Sequence, residues 1–282
     1  MATYRYVIAD VFTDTPLQGN QLAVITDARE IPEDLLQRLA KEMNYSETVF
    51  VYTPEADGHA RIRIFTPTSE LPFAGHPVLG TAFVLAGPLQ LPEIRLETGQ
   101  GVIPIALDRD HAGHIVFGRM QQPIPTVEPF DREEELFGAL GIEGSDLPVE
   151  LYDLGIRHVY VALPSEADVA ALEPDFGALA RLTGIVGVNC FAGSGTRWKT
   201  RMFAPADGVP EDPATGSAAG PLGVHLARHG RIAFGEQIEI TQGVEIGRPS
   251  KLFVRVDGSP EQVERVECGG SAVVVARGEF QL

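Results

Sequence analysis

Residues 70–77 read ELPFAGHP, and 141 positions later residues 211–218 read EDPATGSA. Both stretches carry Glu-x-Pro-x-x-Gly, and both stand between a β-rich run closed by proline and an apolar series at helical spacing. Upstream, Arg63-x-Phe65-x-Pro67 matches Arg201-x-Phe203-x-Pro205, with a spacer of two residues in one half and five in the other. A surface loop absorbs such an insertion at little cost. Downstream, Val78, Leu79, Ala82 and Phe83 follow Gly75 as Ala218, Leu222 and Leu226 follow Gly216. Pro77 suits a first helical turn, Ser217 an N-cap and Gly230 the end of the second helix. A weaker third match sets Leu36-x-Arg38-Leu39 against Leu179-x-Arg181-Leu182, each in a helical stretch opened by a proline, Pro32 or Pro174. The recurring order of helix, strand, glycine loop and helix predicts that one α+β unit has been duplicated. The boundary falls in QQPIPTVEP, residues 121–129, where three prolines interrupt the pattern. The domains so predicted are 1–125 and 126–270.

A helix N-terminus carries unpaired N–H groups and partial positive charge, and a glycine there lets a ligand approach the backbone. Two such ends facing one cleft would form a paired anion cradle. That matters because the chain, at 282 residues with a formal net charge of −17, offers no basic patch for a carboxylate. The same charge argues against a nucleic-acid or anionic-membrane partner. No apolar run approaches the roughly 20 residues that span a bilayer, and MATYRYVIADVF alternates like a strand rather than a signal peptide, so a cytoplasmic protein is expected. Cys190 and Cys268 are too few and too far apart for a disulfide framework or a zinc knuckle and read as reduced, buried thiols.

Proton chemistry needs something that the two halves do not share. The helix PEDLLQRLAKEMN, residues 32–44, puts Leu35, Leu36, Leu39 and Met43 on one face and is followed by Tyr45-Ser46-Glu47 and the strand residues Thr48 to Val51. Glu47 therefore sits at a helix-to-strand junction, whereas its approximate counterpart, near Asn189-Cys190, has no carboxylate. A carboxylate at such a rim, if partly desolvated, can both take and return a proton.

The stretches DVFTDTPLQGNQLAV, NYSETVFV, RIRIFTPTSELPFAGHPVLGTA, RMFAPADGVPEDPATGSAAGPLGVHLARHG and QGVEIGRPS together resemble the PhzF family of phenazine biosynthesis, over essentially the whole chain. MQQPIPT, IRHVYVALPS and TQGVEIGRPS match as well, which brings the chain closer to the phenazine-pathway members than to the wider group. The resemblance implies a diaminopimelate-epimerase-like fold: two pseudo-symmetric α+β domains, each a mostly antiparallel sheet or barrel around a central helix, with the active site in the cleft between them. By the same analogy, strand 271–282 would return to the first domain. It implies Glu47 as the catalytic base, with His76, Asp212 and Ser217 as further catalytic residues. Asn20, Ser46, Gly75 and Gly216 would bind substrate. Pro213 in EDPATG is a small departure that touches no catalytic position.

The activity so implied is a cofactor-independent isomerisation, with no metal. Glu47 would move a proton from C3 to C1 of a small anionic cyclohexadiene amino acid, and the resulting ketone would condense toward the phenazine skeleton. A homodimer is implied as well. Racemases and epimerases of the same fold compete with this reading, because fold does not fix function. They use two facing cysteines, and here those places are held by His76 and Ser217. An isomerase or epimerase of another small carboxylate, and a non-catalytic small-molecule-binding protein, are the alternatives; loss of the carboxylate at 47 would have favoured the last. Other motifs are weaker. His225 and His229 lie four apart in HLARH without the glutamate of a zinc protease, and read as structural. Gly193-Ser-Gly195 is too little for a nucleotide loop, Arg197-Trp198-Lys199 reads as an exposed strand, and DREEEL as an acidic first helical turn.

Overall fold

The computed structural model describes residues 2–282 and divides into two compact units, Met1–Gln121 with Gly269–Leu282, and Gln122–Cys268. In the first unit, β1 (Thr3–Val11) and β2 (Asn20–Ile25) pair antiparallel. A crossover carrying α1 (Glu33–Met43) then leads to β3 (Glu47–Tyr52), which runs parallel to β2. β4 (Ala60–Phe65) pairs antiparallel with β3, and the two-residue β5 (Glu70–Leu71) folds back on β4. Helix α2 (Gly75–Leu89) follows, and β6 (Glu93–Thr98) returns parallel to β4 before the hairpins β6–β7 (Gly101–Arg109) and β7–β8 (Ile115–Gln122).

The second unit repeats this order. β9 (Thr126–Pro129) and α3 (Glu133–Leu140) precede the hairpin β10 (Glu150–Asp153)–β11 (Arg157–Ala162), and β9 pairs with β10. Two short helices, α4 (Glu166–Ala170) and α5 (Phe176–Leu179), replace α1 in the parallel crossover to β12 (Gly187–Ser194). Then come β13 (Arg197–Ala204), β14 (Val209–Asp212), α6 (Gly216–Arg228), β15 (Gln237–Gln242) parallel to β13, β16 (Ser250–Gly258) and β17 (Val263–Gly270). The last strand, β18 (Ala272–Gln281), pairs along the length of β1. Each unit is thus a mixed, mostly antiparallel sheet. Among the described residues, no helix is long and apolar enough to cross a membrane.

Local chemistry accounts for these elements. Leu36, Leu39 and Ala40 of α1 are buried with Ile25, Phe50 and Phe65 on one face of the sheet. Asn44, left-handed at φ 53°, ends α1 by donating its N–H to the Ala40 carbonyl. Helix α2 covers the opposite face: a Cβ on Gly80 would stand 2.6 Å from both Leu22 and Val11, and one on Gly118 2.7 Å from Leu79. Only the missing side chains let helix and strands come so close. In the second unit, Leu136, Val169 and Leu179 from α3, α4 and α5 pack with Val188, Cys190 and Phe203. Gly223 of α6 lies against Val254, where a Cβ would come within 2.5 Å. DREEEL is the acidic first turn of α3, and both cysteines are free and buried. Burial pushes both thiols up.

The repeat extends to side chains that the motif left unexplained. Arg63 makes a two-pronged ion pair with Glu70, both bonds 2.7 Å long, and its guanidinium lies over Phe65. Arg201 grips Glu211 in the same way at 3.0 and 2.7 Å and lies over Phe203. The Glu that both Glu-x-Pro-x-x-Gly motifs share is therefore a clamp on the strand that leads into the helix. The three extra residues of the second half are taken up by a 3₁₀ turn, Pro205–Asp207. Beyond the clamp, a Cβ on Gly99 would stand 2.9 Å from Pro72 Cα, and one on Gly243 2.5 Å from the Pro213 carbonyl. Each glycine loop is thus held from both sides in the same way.

Three sequence expectations change. The stretch after Pro174 forms only the four-residue α5, so the match of Leu179 to Leu36 is one of sequence more than of structure. Arg197-Trp198-Lys199 is not an exposed strand: Trp198 and Lys199 are buried, and Lys199 pairs with Glu245 at 2.6 Å. The residue matching Glu47 is Gly187, not Asn189 or Cys190, because Phe50 faces Arg63 as Cys190 faces Arg201. A Cβ at 187 would meet Met202 Cε at 2.5 Å, so this place holds no side chain in the second unit.

The two clamps differ in burial. Arg201 and Glu211 expose 9% and 6% of their side chains, Arg63 and Glu70 19% and 41%. Replacing Arg201 strands a buried carboxylate. Arg201→Met is therefore expected to cost about 3–5 kcal/mol and Arg63→Met about 1 kcal/mol, read from urea unfolding; equal losses would contradict the burial argument.

Candidate active site

Strand alternation sets the direction of Glu47. Phe50 and Tyr52 of β3 pack in the α1 cluster, so Glu47, Val49 and Val51 point to the other face, that of α2. Gly75 opens α2 after the extended N-cap Ala74, which makes His76 the second helical residue and Pro77 the third. Pro77 falls where a missing N–H costs nothing. His76 Nε2 thereby comes 3.4 Å from Glu47 Oε2, long for a hydrogen bond. On its other side, His76 Nδ1 is 3.1 Å from Nδ2 of Asn20, the first residue of β2. Nδ1 is the ring nitrogen held by partners, Asn20 and the Gln21 backbone, and Nε2 faces Glu47.

His76 exposes 3% of its side chain and Glu47 15%. Burial drives the His76 pKa down to about 3, only partly opposed by a backbone hydrogen bond to Gln21. The imidazole is therefore neutral at physiological pH. A cationic histidine at this distance would favour the ionised carboxylate and weaken it as a base. A neutral one adds no such charge. Ser46, half-buried, precedes β3 immediately and so borders Glu47 in the chain.

In the second unit Asp212 ends β14 and is buried. Its Oδ2 accepts a short hydrogen bond from Thr215 Oγ1. Gln242 holds this turn closed: its Nε2 donates to the Asp212 carbonyl at 2.8 Å and to Thr215 Oγ1 at 3.0 Å, and its Oε1 accepts from the Thr215 N–H at 3.2 Å. Ser217 is not the N-cap expected from the sequence. Thr215 occupies that place, α6 begins at Gly216, and Ser217 is the second residue of the helix, as His76 is of α2. Ser217 Oγ lies 3.2 Å from Nε2 of the buried His158, and Gln122 Nε2 donates to the Gly216 carbonyl at 2.7 Å.

The structure therefore brings Glu47, His76 and Asn20 together in one unit, and places Asp212, Gly216 and Ser217 around the start of α6 in the other. Thr215, Gln242, His158 and Gln122 were not singled out from the sequence. All four lie within stretches that matched the family, but their partners are up to 94 residues away in the chain. Among the described residues, one set of His and Glu side chains has the proximity of metal ligands, Glu150 with His225 and His229. Its carboxylate oxygen is already shared: Glu150 Oε2 accepts from His229 at 3.0 Å, from Tyr152 at 2.9 Å and from the Arg228 guanidinium at 3.2 Å. A fixed cation on the same oxygen opposes a metal ion there, and these histidines serve as structural partners of Glu150.

The sheet order and the glycine-started helix in each unit define a class of sheet-dominated α+β proteins. The chain belongs to the family of phenazine biosynthesis-like proteins, PhzC-PhzF, whose family model matches residues 9–278. It is 53% identical over 279 residues to the trans-2,3-dihydro-3-hydroxyanthranilate isomerase of Pseudomonas aeruginosa, a match covering 99% of this chain and 100% of that one. The structure is similar to that of a Bacillus anthracis phenazine biosynthesis protein of the PhzF family, with a TM-score of 0.86, 26% identity and complete coverage of both chains. A hydroxyproline epimerase from Agrobacterium vitis shares the fold alone, with a TM-score of 0.68 and 12% identity over 98% of this chain and 92% of that one.

The buried imidazoles make stability depend on pH in a defined direction. His76 and His158 both have pKa values lowered by burial to about 3, against 6.5 for the free side chain. Between these values the unfolded chain binds protons that the native state excludes, so stability falls as pH drops below about 6.5. With both sites contributing, the slope is on the order of 2 kcal/mol per pH unit. Urea midpoints measured from pH 6.5 down to 5 are expected to decline, and to decline less in a His76→Asn, His158→Asn double variant. A parallel decline in the two proteins would place the titration elsewhere. The window stays above the range in which Glu150, whose pKa is held down to about 2 by His225, His229 and Tyr152 despite its own burial, takes up a proton.

Proposed function

We propose that the protein catalyses the isomerisation of trans-2,3-dihydro-3-hydroxyanthranilate, with Glu47 as its only base. The observation that carries this reading is the half-buried Glu47 carboxylate held 3.4 Å from a neutral, buried His76. As carboxylate, Glu47 removes the proton from C3 and the ring double bond shifts. As carboxylic acid, it delivers that proton to C1 on the same face. One base suffices, because the proton leaves and returns from one side. The enol formed tautomerises to a reactive ketone, which condenses toward the phenazine skeleton. His76, steadied by Asn20, stays uncharged throughout and so leaves the carboxylate free to change its protonation state.

Asp212 and Ser217 are assigned to the polar groups of the substrate, with the N–H groups at Gly75 and Gly216 favouring its carboxylate through the partial positive charge of a helix start. We take the protein to be cytoplasmic and to need no cofactor, and to be a homodimer as the family resemblance implies. Epimerisation by two facing thiols is disfavoured. Cys190 and Cys268 are buried in strands, and their thiols are pushed up by burial, away from the reactive thiolate form.

The test is to add the purified protein to trans-2,3-dihydro-3-hydroxyanthranilate in heavy water and follow the diene absorbance and the proton NMR spectrum. Wild type is expected to consume the substrate, and Glu47→Gln to be slower by about 10²–10⁴-fold. An unchanged substrate with wild type, or an active Glu47→Gln variant, would sink the proposal.

A further inference from the structure

His158 lies on β11, 1% exposed, with Nε2 3.2 Å from Ser217 Oγ. Its other ring nitrogen, Nδ1, is buried without a hydrogen-bond partner. An imidazole with one satisfied and one orphaned nitrogen has two neutral tautomers. If Ser217 donated to Nε2, the ring proton would sit on Nδ1 as a buried donor with nothing to receive it. If Nε2 carries the proton and donates to Oγ, the orphan is a lone pair, and orphaned buried N–H groups are rarer than under-used acceptors. The second tautomer also leaves the serine's own proton uncommitted.

The first unit repeats the arrangement. There the second residue of the helix, His76, is held by Asn20 on β2, the strand parallel to β3. In the second unit the second residue of α6, Ser217, is held by His158 on β11, the strand parallel to β12. Register makes Leu22, opposite Glu47, the match of His158, opposite Gly187. Asn20 and His158 are thus two positions apart on one strand face. Both units steady the same helical position through a polar side chain of the same strand.

We propose that His158 is a positioning residue, which donates its Nε2–H to Ser217 Oγ and so turns the serine O–H outward as a donor to an anionic ligand group, the substrate carboxylate. This rests on the reading of Ser217 as a substrate-binding residue. A group that orients a binding donor affects ground state and transition state alike, so its loss raises KM more than it lowers kcat.

Kinetics on trans-2,3-dihydro-3-hydroxyanthranilate would compare wild type with His158→Met, His158→Gln, Ser217→Ala and the His158→Met, Ser217→Ala pair. His158→Met is expected to raise KM on the order of tenfold, the effect of one hydrogen bond, with kcat nearly unchanged. The side-chain amide of His158→Gln restores a donor and should recover most of the loss. The double variant is expected to be no worse than Ser217→Ala alone, because the two residues act as one unit. Independent multiplication of the two effects, or an unchanged KM in His158→Met, would overturn the proposal. Nitrogen-15 NMR of the imidazole ring gives a second readout that needs no turnover: His158 should be the Nε2–H tautomer, with its Nε2 signal moved by Ser217→Ala. An Nδ1–H tautomer would overturn the proposal even in an active enzyme. An inactive wild type with the expected ring signals would instead contradict the assigned substrate and uphold the contact.

Discussion

Each cluster of candidate residues depends on where one helix begins, and each beginning is fixed by an arginine gripping a glutamate across a hairpin. Arg63 with Glu70, and Arg201 with Glu211, tie the short strand that precedes the glycine loop to the long strand beside it. The loop is then pressed from the other side by the turn that follows the next strand, β6 or β15, where Gly99 meets Pro72 and Gly243 meets Pro213. With both flanks set, the second residue of each helix has little freedom. His76 and Ser217 therefore appear at fixed places although neither makes a side-chain cap.

Duplication supplied two such places, and divergence gave them different chemistry. Glu47 stands at the start of β3, where the matching position in the second unit, Gly187, is filled by Met202. The acid is thus confined to one unit by packing as well as by sequence. In the same unit, burial keeps His76 uncharged next to that acid. In the other, Asp212 is tied to Thr215 and Gln242, and Ser217 to His158, so hydrogen bonds hold the polar groups there in place.

The sequence alone determined the duplication, the α+β class and the identity of the glycine-started helices, because prolines, glycines and apolar spacing act over a few neighbouring residues and were written twice. It also located Glu47 at a strand start, a consequence of the α1 pattern ending at Asn44. It could not determine which residue of the second unit matches Glu47, since that depends on strand register and Gly187 carries no side chain to read. Nor could it find Asn20 against His76, or His158 against Ser217, as contacts, or the burial that lowers both imidazole pKa values. Those were decided by tertiary structure, because hydrogen bonds between residues 56 and 59 positions apart form only when separate strands and helices have packed and expelled water.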